Sequence, residues 1–600
     1  MIAIEVYNDK CIVLNVDDPQ NKLPYNYNEA LKQELSYSVP SAEWSQKFKQ
    51  GQWDGKITLY NKRLQSFPTG LSKRVFDLFK ELNVECSFVD MRDKPEKDYP
   101  VSCDFLGKDL RDYQLSAATL AKKYQRGMLS LCTGAGKTMT SCQIFANLQV
   151  KPVVFIVPAI ELLNQTQKEF EKYLRLEGKN VKVGVAGGGK CDLNMEGINV
   201  ITYQTALIAF NKKYIESQKK IVEDQGDGSK STLQLQKELE EATKNWILAK
   251  NNATAKLAKL SLDKEKAAEI ALVESDPKKQ KSFAAVALSL EKQFNREFNS
   301  LIKNELSAYR KAQSAWDNRQ NILFQKSQVR TLIQNCKALV IDEAHLAVEV
   351  TEELGKNAIN AFYKLGLSAT PWRTDNQEIR IEGTLGQKII DVSASDLIER
   401  GFLVPPKIFM CKVNESHVAN TYAEVYTKNI VHNWERNYRI KQFAEGFKAE
   451  GRPTLILVER REHGDLLESM IEDSVFVPGG DKGDVDPTAE EKNYRRRMLN
   501  AVENNEIILI ATQWANVGVD APKISALILA GSNQSTVTTY QQAGRVLRCV
   551  GKNIEESSKN GKPDAIIVDF SCEHKNLKAH SNMRKRVYKN ERAWTFCELK

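Results

Sequence analysis

The segment LSLCTGAGKTMT constrains this chain more than any other, because an apolar run, a glycine loop and a helical pattern follow one another within twelve residues. Glycines let a loop wrap closely around phosphates with its backbone N–H groups turned inward, and the following helix adds the positive end of its dipole. Thr133, Gly134, Ala135 and Gly136 would form the cradle, Lys137 would reach the β and γ phosphates, and the Thr138 hydroxyl would ligate Mg²⁺. The general pattern asks for one more glycine where this chain has Leu131. A tight turn that happens to precede a lysine is the bland alternative.

A loop of this kind needs a strand–helix–strand setting, and the flanking sequence supplies one. From Leu110 to about residue 204, β-branched runs such as VVFIVP and INVITYQ alternate with amphipathic stretches such as ELLNQTQKEFEKYL, which reads as a doubly wound parallel sheet. Alternation stops near Asn211 and resumes at KALVIDEAH and KLGLSATP. Between them the chain is rich in Lys, Glu, Ala, Leu and Gln and nearly free of Gly and Pro after Gly228, so residues 211–330 are expected to form a long helical insertion. A second α/β series uses PTLILVER, EIILIATQ, SALILAG and DAIIVDF as strands and closes on the basic tail HSNMRKRVYKNERAW. The expected organisation is an accessory domain over residues 1–95, a first α/β domain over 100–385 that holds the insertion, and a second over 390–600.

In ALVIDEAH a buried-type strand delivers Asp342 and Glu343 together. The first carboxylate suits Mg²⁺ held through water, and the second suits orienting and deprotonating an attacking water. His345, Ser368 and Thr370 are placed to couple this pair to the opposite side of a cleft. In TYQQAGRVLR, helical spacing puts Gln541, Arg545 and Arg548 on nearly one face, with Gly544 permitting close approach. Arginines offered from a second domain neutralise charge that develops on a γ-phosphate. Taken alone, the same segment reads as a solvated basic helix.

Composition adds boundaries. The 86 Lys plus Arg against 77 Asp plus Glu leave a formal charge of +9, compatible with a polyanionic partner without requiring one. Eleven cysteines, none in a C-x-x-C pair, argue for reduced thiols and against a zinc ribbon. Apolar runs are too short to cross a bilayer, and MIAIEVYNDK lacks a signal-peptide profile, so a cytoplasmic protein is expected.

The ordered set LRDYQ, LCTGAGKT, IVPAIELLNQ, ITYQT, VIDEAH, SAT, LILVERREHGDLL, ATQWANVGVD and QQAGRVLR resembles the motif series of superfamily 2 helicases. The resemblance implies two RecA-like domains that use ATP and Mg²⁺. It makes Gln114 the adenine reader, places Gly518 and Asp520 toward the nucleotide, and makes Arg545 and Arg548 arginine fingers. Pro158, Thr202 and Thr512 would then meet the nucleic-acid backbone. The N-terminal stretch WDGKITLYNKRLQSFPTGL is similar to bacteriophage UvsW-type recombination helicases, which remodel forks, Holliday junctions and displacement loops. In that setting Trp53, Lys56, Tyr60, Lys62 and Arg63 would form an aromatic and basic DNA surface, although Trp53 and Tyr60 read equally well as core. DNA is the expected track, an RNA helicase with the same engine or an annealing module the alternatives. Lys and Glu interleave along the insertion, which suits a solvated hairpin or an arm for a replication or recombination partner better than a DNA clamp.

Overall fold

The computed structural model describes residues 1–210, 232–369, 378–414, 421–479, 489–512, 521–532 and 535–599. It divides into two compact units, Met1–Leu207 with Thr331–Lys600, and Ile208–Arg330.

The larger unit holds two parallel sheets. The first runs in the order Lys190–Asp192, Gly184–Gly187, Ile198–Thr202, Val153–Val157, Ala338–Asp342, Tyr363–Ser368, Arg126–Leu131, Lys388–Val392. Every neighbouring pair is parallel except the Lys190–Asp192 edge. Crossover helices cover both faces, so the central strands lack polar alternation; all five residues of Val153–Val157 are buried. The second sheet is parallel throughout, in the order Ser474–Val477, Ile508–Ala511, Thr454–Leu457, Ala526–Leu529, Ala565–Ser571, Pro406–Lys412, Thr595–Leu599. These are the two RecA-like domains.

A smaller four-stranded sheet, Ser66–Pro68, Lys10–Asn15, Ile2–Val6, Cys86–Asp90, opens the chain. It is fused to the first RecA-like domain: Ile379 of the helix Glu378–Leu385 belongs to its core. Arg74 bridges Glu34 and the buried Glu382, each at 2.9 Å.

The C-terminal segment corrects the expectation of a basic tail. Its basic residues form the helix Lys575–Asn590, which buries Arg584 against Asp569 at 2.8 Å, and Tyr588 donates to the same carboxylate at 2.9 Å. The strand Thr595–Leu599 then completes the second sheet beside Pro406–Lys412. Composition concealed this, because the apolar residues of the helix are few and its buried charge is paired.

The smaller unit is helical, with Thr232–Lys256 and Ala258–Val273 followed by the long helix Pro277–Asn335. Trp246 stacks on Tyr309 at 4.8 Å and Arg319 donates to Thr232 at 3.1 Å, pinning the first helix to the last. Among the described residues no helix is long and apolar enough to cross a membrane.

Candidate active site

Parallel strands deliver their following loops to one edge of a sheet, and in open α/β folds that carboxyl edge is where ligands bind. Here it collects the glycine loop after Arg126–Leu131, Pro158 after Val153–Val157, Thr202, Asp342 and Ser368. Gly134 and Gly136 have φ of 87° and 78°, the left-handed region in which a side chain is strained. The helix Lys137–Leu148 starts directly beyond them.

Lys137 forms an ion pair with Glu343, while Asp342 accepts from the Glu343 N–H at 3.0 Å. Burial alone would raise both carboxyls. In Asp342 it prevails over Lys137, and in Glu343 the Lys137 ammonium and the His345 ring outweigh it and hold the group below its ordinary value. Glu343 also sits at φ 49°, a conformation rarely kept by a residue with a side chain unless the surroundings enforce it. Its Oε2 makes no hydrogen bond. His345, 1% exposed, lies 3.5 Å from that oxygen and bonds Ser368 through the same ring nitrogen. The expected coupling pair is therefore in contact.

The second domain meets the loop. A Cβ on Gly544 would lie 2.5 Å from Thr133 Cβ, and one on Gly134 would lie 3.6 Å from Arg548 Cγ. Gln541 and Arg545 lie on the helix Thr536–Val546. Arg548 does not share that face, which corrects the spacing argument: the helix has ended, and Arg548 pairs as a short bridge with Leu403. Burial, and then the neighbouring Arg548, push the Arg545 guanidinium down to about 9, and its Nε has no hydrogen-bond partner. A half-buried cation with no acidic partner among the described residues, on the helix that meets the glycine cradle, fits a nucleotide polyphosphate with its metal. Thr138 and Asp342 are the residues that would hold the metal.

The site has supporting residues, Tyr113, Arg111, Phe402 and Tyr203, that the sequence did not single out. Gln114 is 4% exposed and uses both ends of its amide, donating to Ala135 O at 2.9 Å and accepting from Arg111 N at 2.9 Å. It thus braces the loop at Ala135. Tyr113 donates to the same carbonyl at 2.9 Å and lies 6.2 Å from the Phe402 ring, over which Arg111 stacks at 4.2 Å. Tyr203 donates to Asp342 O. Only the aromatic of LRDYQ, adjacent to Gln114, signalled any of this in sequence.

The nucleic-acid candidates divide. Pro158 is partly exposed, and Thr512 accepts from Gly479 N–H at 2.7 Å at the carboxyl edge of the second sheet. Thr202 is 4% exposed, and its hydroxyl bonds Thr205 at 2.9 Å, so here it caps a helix and does not face outward. Tyr60 is corrected from surface to core: it is 4% exposed and donates to Asn28 at 2.7 Å. Trp53 is half-buried with its indole N–H on Lys56 O at 2.7 Å, whereas Lys56, Lys62 and Arg63 are exposed, Lys62 being paired with Glu29. Thr370, Gly518 and Asp520 lie outside the described residues.

Two RecA-like domains meet at a glycine loop, an acid pair and basic residues, and a segment of each matches a family model. Residues 107–227 match the family model for the type III restriction enzyme res subunit, and residues 438–550 that for the helicase conserved C-terminal domain. Putative helicase 22 of Sulfolobus islandicus filamentous virus (isolate Iceland/Hveragerdi) is 25% identical over 240 residues, 37% of this chain and 41% of that protein. The DNA 3'-5' translocase XPB2 of Sulfurisphaera tokodaii is 35% identical over 133 residues, 22% of this chain and 27% of that protein. The chain thus spans less than half the length of these curated relatives. Among solved structures, T4 UvsW aligns over 100% of this chain and 98% of its own, with a TM-score of 0.38 and 14% identity.

Proposed function

We propose that the chain is an ATP-driven DNA helicase or translocase that remodels branched DNA such as forks, Holliday junctions and displacement loops. The observation that carries this reading is the arrival of Gly544 and Arg548 from the second domain at the glycine loop of the first, with Arg545 next to Gly544 on its helix. An ATP site built from both domains ties hydrolysis to their closure, and closure is what moves a strand.

In this reading Lys137 leaves Glu343 for the β and γ phosphates as nucleotide enters. Glu343, freed of its ion pair, orients the attacking water and accepts its proton. Arg545 and Arg548 neutralise charge on the γ-phosphate, and His345 with Ser368 transmit the change. Thr138 and Asp342 would hold a Mg²⁺, which would supply charge neutralisation to the nucleotide. Pro158 and Thr512, on the carboxyl edges of the two sheets, face the strand, and Lys56, Lys62 and Arg63 extend the basic surface. Backbone contacts of this kind are independent of sequence and weaken with salt. The DNA 3'-5' translocase named among the relatives supports DNA over RNA as the track.

The test is steady-state ATPase with single-stranded DNA, duplex DNA, a four-way junction and matched RNA. Strong stimulation by the junction, with little from RNA, is expected. Equal stimulation by RNA would replace this reading with an RNA helicase that uses the same engine.

A further inference from the structure

The first turn of the helix Trp434–Ala449 carries an aromatic pair that the ATP site does not use. Trp434 is 69% exposed and Tyr438 40% exposed. Their rings stack at a centroid distance of 5.0 Å with planes 9° apart. Spacing of four residues accounts for the contact between them, but leaves unexplained why so much aromatic surface faces water.

Its position supplies a reason. The helix is capped by Asn433, which accepts from Arg436 N–H at 3.0 Å and donates to Asn414 O at 2.9 Å, just past the strand Pro406–Lys412. The pair therefore stands at the carboxyl edge of the second sheet. From the same turn His432 Nε2 meets Glu462 at 2.8 Å, in the first turn of the helix Arg461–Met470. Arg461 donates to Gly479 O at 2.6 Å, and Gly479 N–H donates to Thr512 Oγ1 at 2.7 Å. A continuous path of contacts thus joins the Trp434 turn to the threonine assigned above to the nucleic-acid backbone. Arg461 on this path is exposed, as is Lys428 in the segment Thr427–Val431 just before His432. Of the acids on these elements, Glu435 pairs with Arg439 at 2.9 Å and Glu462 with His432 at 2.8 Å.

We propose that Trp434 and Tyr438 form a stacking platform for unpaired bases of a strand that runs over the second domain. A parallel ring pair with one large exposed ring extends readily by one more planar group, and every base offers a π-face, so such a platform is indifferent to sequence. The cations beside it complement phosphate charge. This inference rests on the reading of the chain as a nucleic-acid motor.

The experiment is fluorescence anisotropy with two DNA probes, a fork bearing single-stranded arms and a blunt duplex, for the full chain and its W434A, W434F and W434A/Y438A variants. Expected is about tenfold weaker fork binding for W434A, a further loss for the double variant, and recovery in W434F, with a much smaller change on blunt duplex. An unchanged thermal unfolding transition shows that W434A is folded. Wild-type fork binding by W434A overturns the platform, and so does an equal loss on both probes. Failure of the motor reading shows separately, as a wild-type chain whose ATPase responds to no nucleic acid.

Discussion

Lys137 and Glu343 neutralise each other across the cleft, so each is held in place and each must let go for the other to act. E343Q keeps the shape of the side chain and removes the base. Its ATPase should fall by about 10²–10⁴-fold with DNA binding retained, and normal turnover would refute the assignment of the base. In the proposed mechanism Arg545 meets only the reacting end of the nucleotide, and R545A removes that cation. Its kcat should fall by about 10³-fold or more while nucleotide affinity changes little, and an equal loss in both would make Arg545 a binding residue instead.

At the scale of elements, buried charge decides stability. The helix Lys575–Asn590 is tied to its sheet by Arg584, which is 1% exposed on a fully buried Asp569. R584M would strand that carboxylate and should cost about 3–5 kcal/mol in urea denaturation of the second domain. A loss near zero would show that this buried pair does not hold the helix to its sheet. Lys364 sits in the buried strand Tyr363–Ser368, and burial, with Arg126 beside it, pushes its ammonium down to about 7 from 10.5. Between those values the unfolded chain binds more protons than the native one, so this residue makes stability rise with pH across that window. Below about 7 both states are protonated, so the slope vanishes while the cost of the buried ammonium is present in full; it disappears only above about 10.5. Denaturation midpoints of wild type and K364M, compared near the two ends of the window, should show a flatter rise in the variant; identical slopes would reject the assignment.

For the whole molecule, the ATP-site residues described here lie in one compact unit, and Ile208–Arg330 folds as another. Arg330 donates to Ala209 O at 2.9 and 2.7 Å, so the two ends of the helical unit lie side by side and a short Gly/Ser bridge can replace what lies between. ATPase without nucleic acid should survive that deletion. Unchanged unwinding together with loss of a protein partner would make the insertion a docking arm, and lost unwinding would make it a clamp.

The sequence by itself determined what depends on local chemistry. A glycine loop opening a helix, paired acids at a strand end, β-branched runs between amphipathic helices and a polar stretch nearly free of Gly and Pro each carry their structure locally, and from them the two RecA-like domains, the inserted helices and the glycine-loop end of the candidate site were legible. Tertiary structure decided what depends on distant neighbours. Tyr60 went inward because Asn28 could take its hydroxyl, and the basic C-terminal segment folded because Asp569, on a strand before it, needed a cation. Gln114 and Tyr113 became braces for Ala135, Thr202 turned to Thr205, and Arg548 reached the loop from beyond its helix by pairing with Leu403. None of these is periodic. A buried polar group takes its partner from whatever the fold brings near, and only the assembled chain specifies that partner.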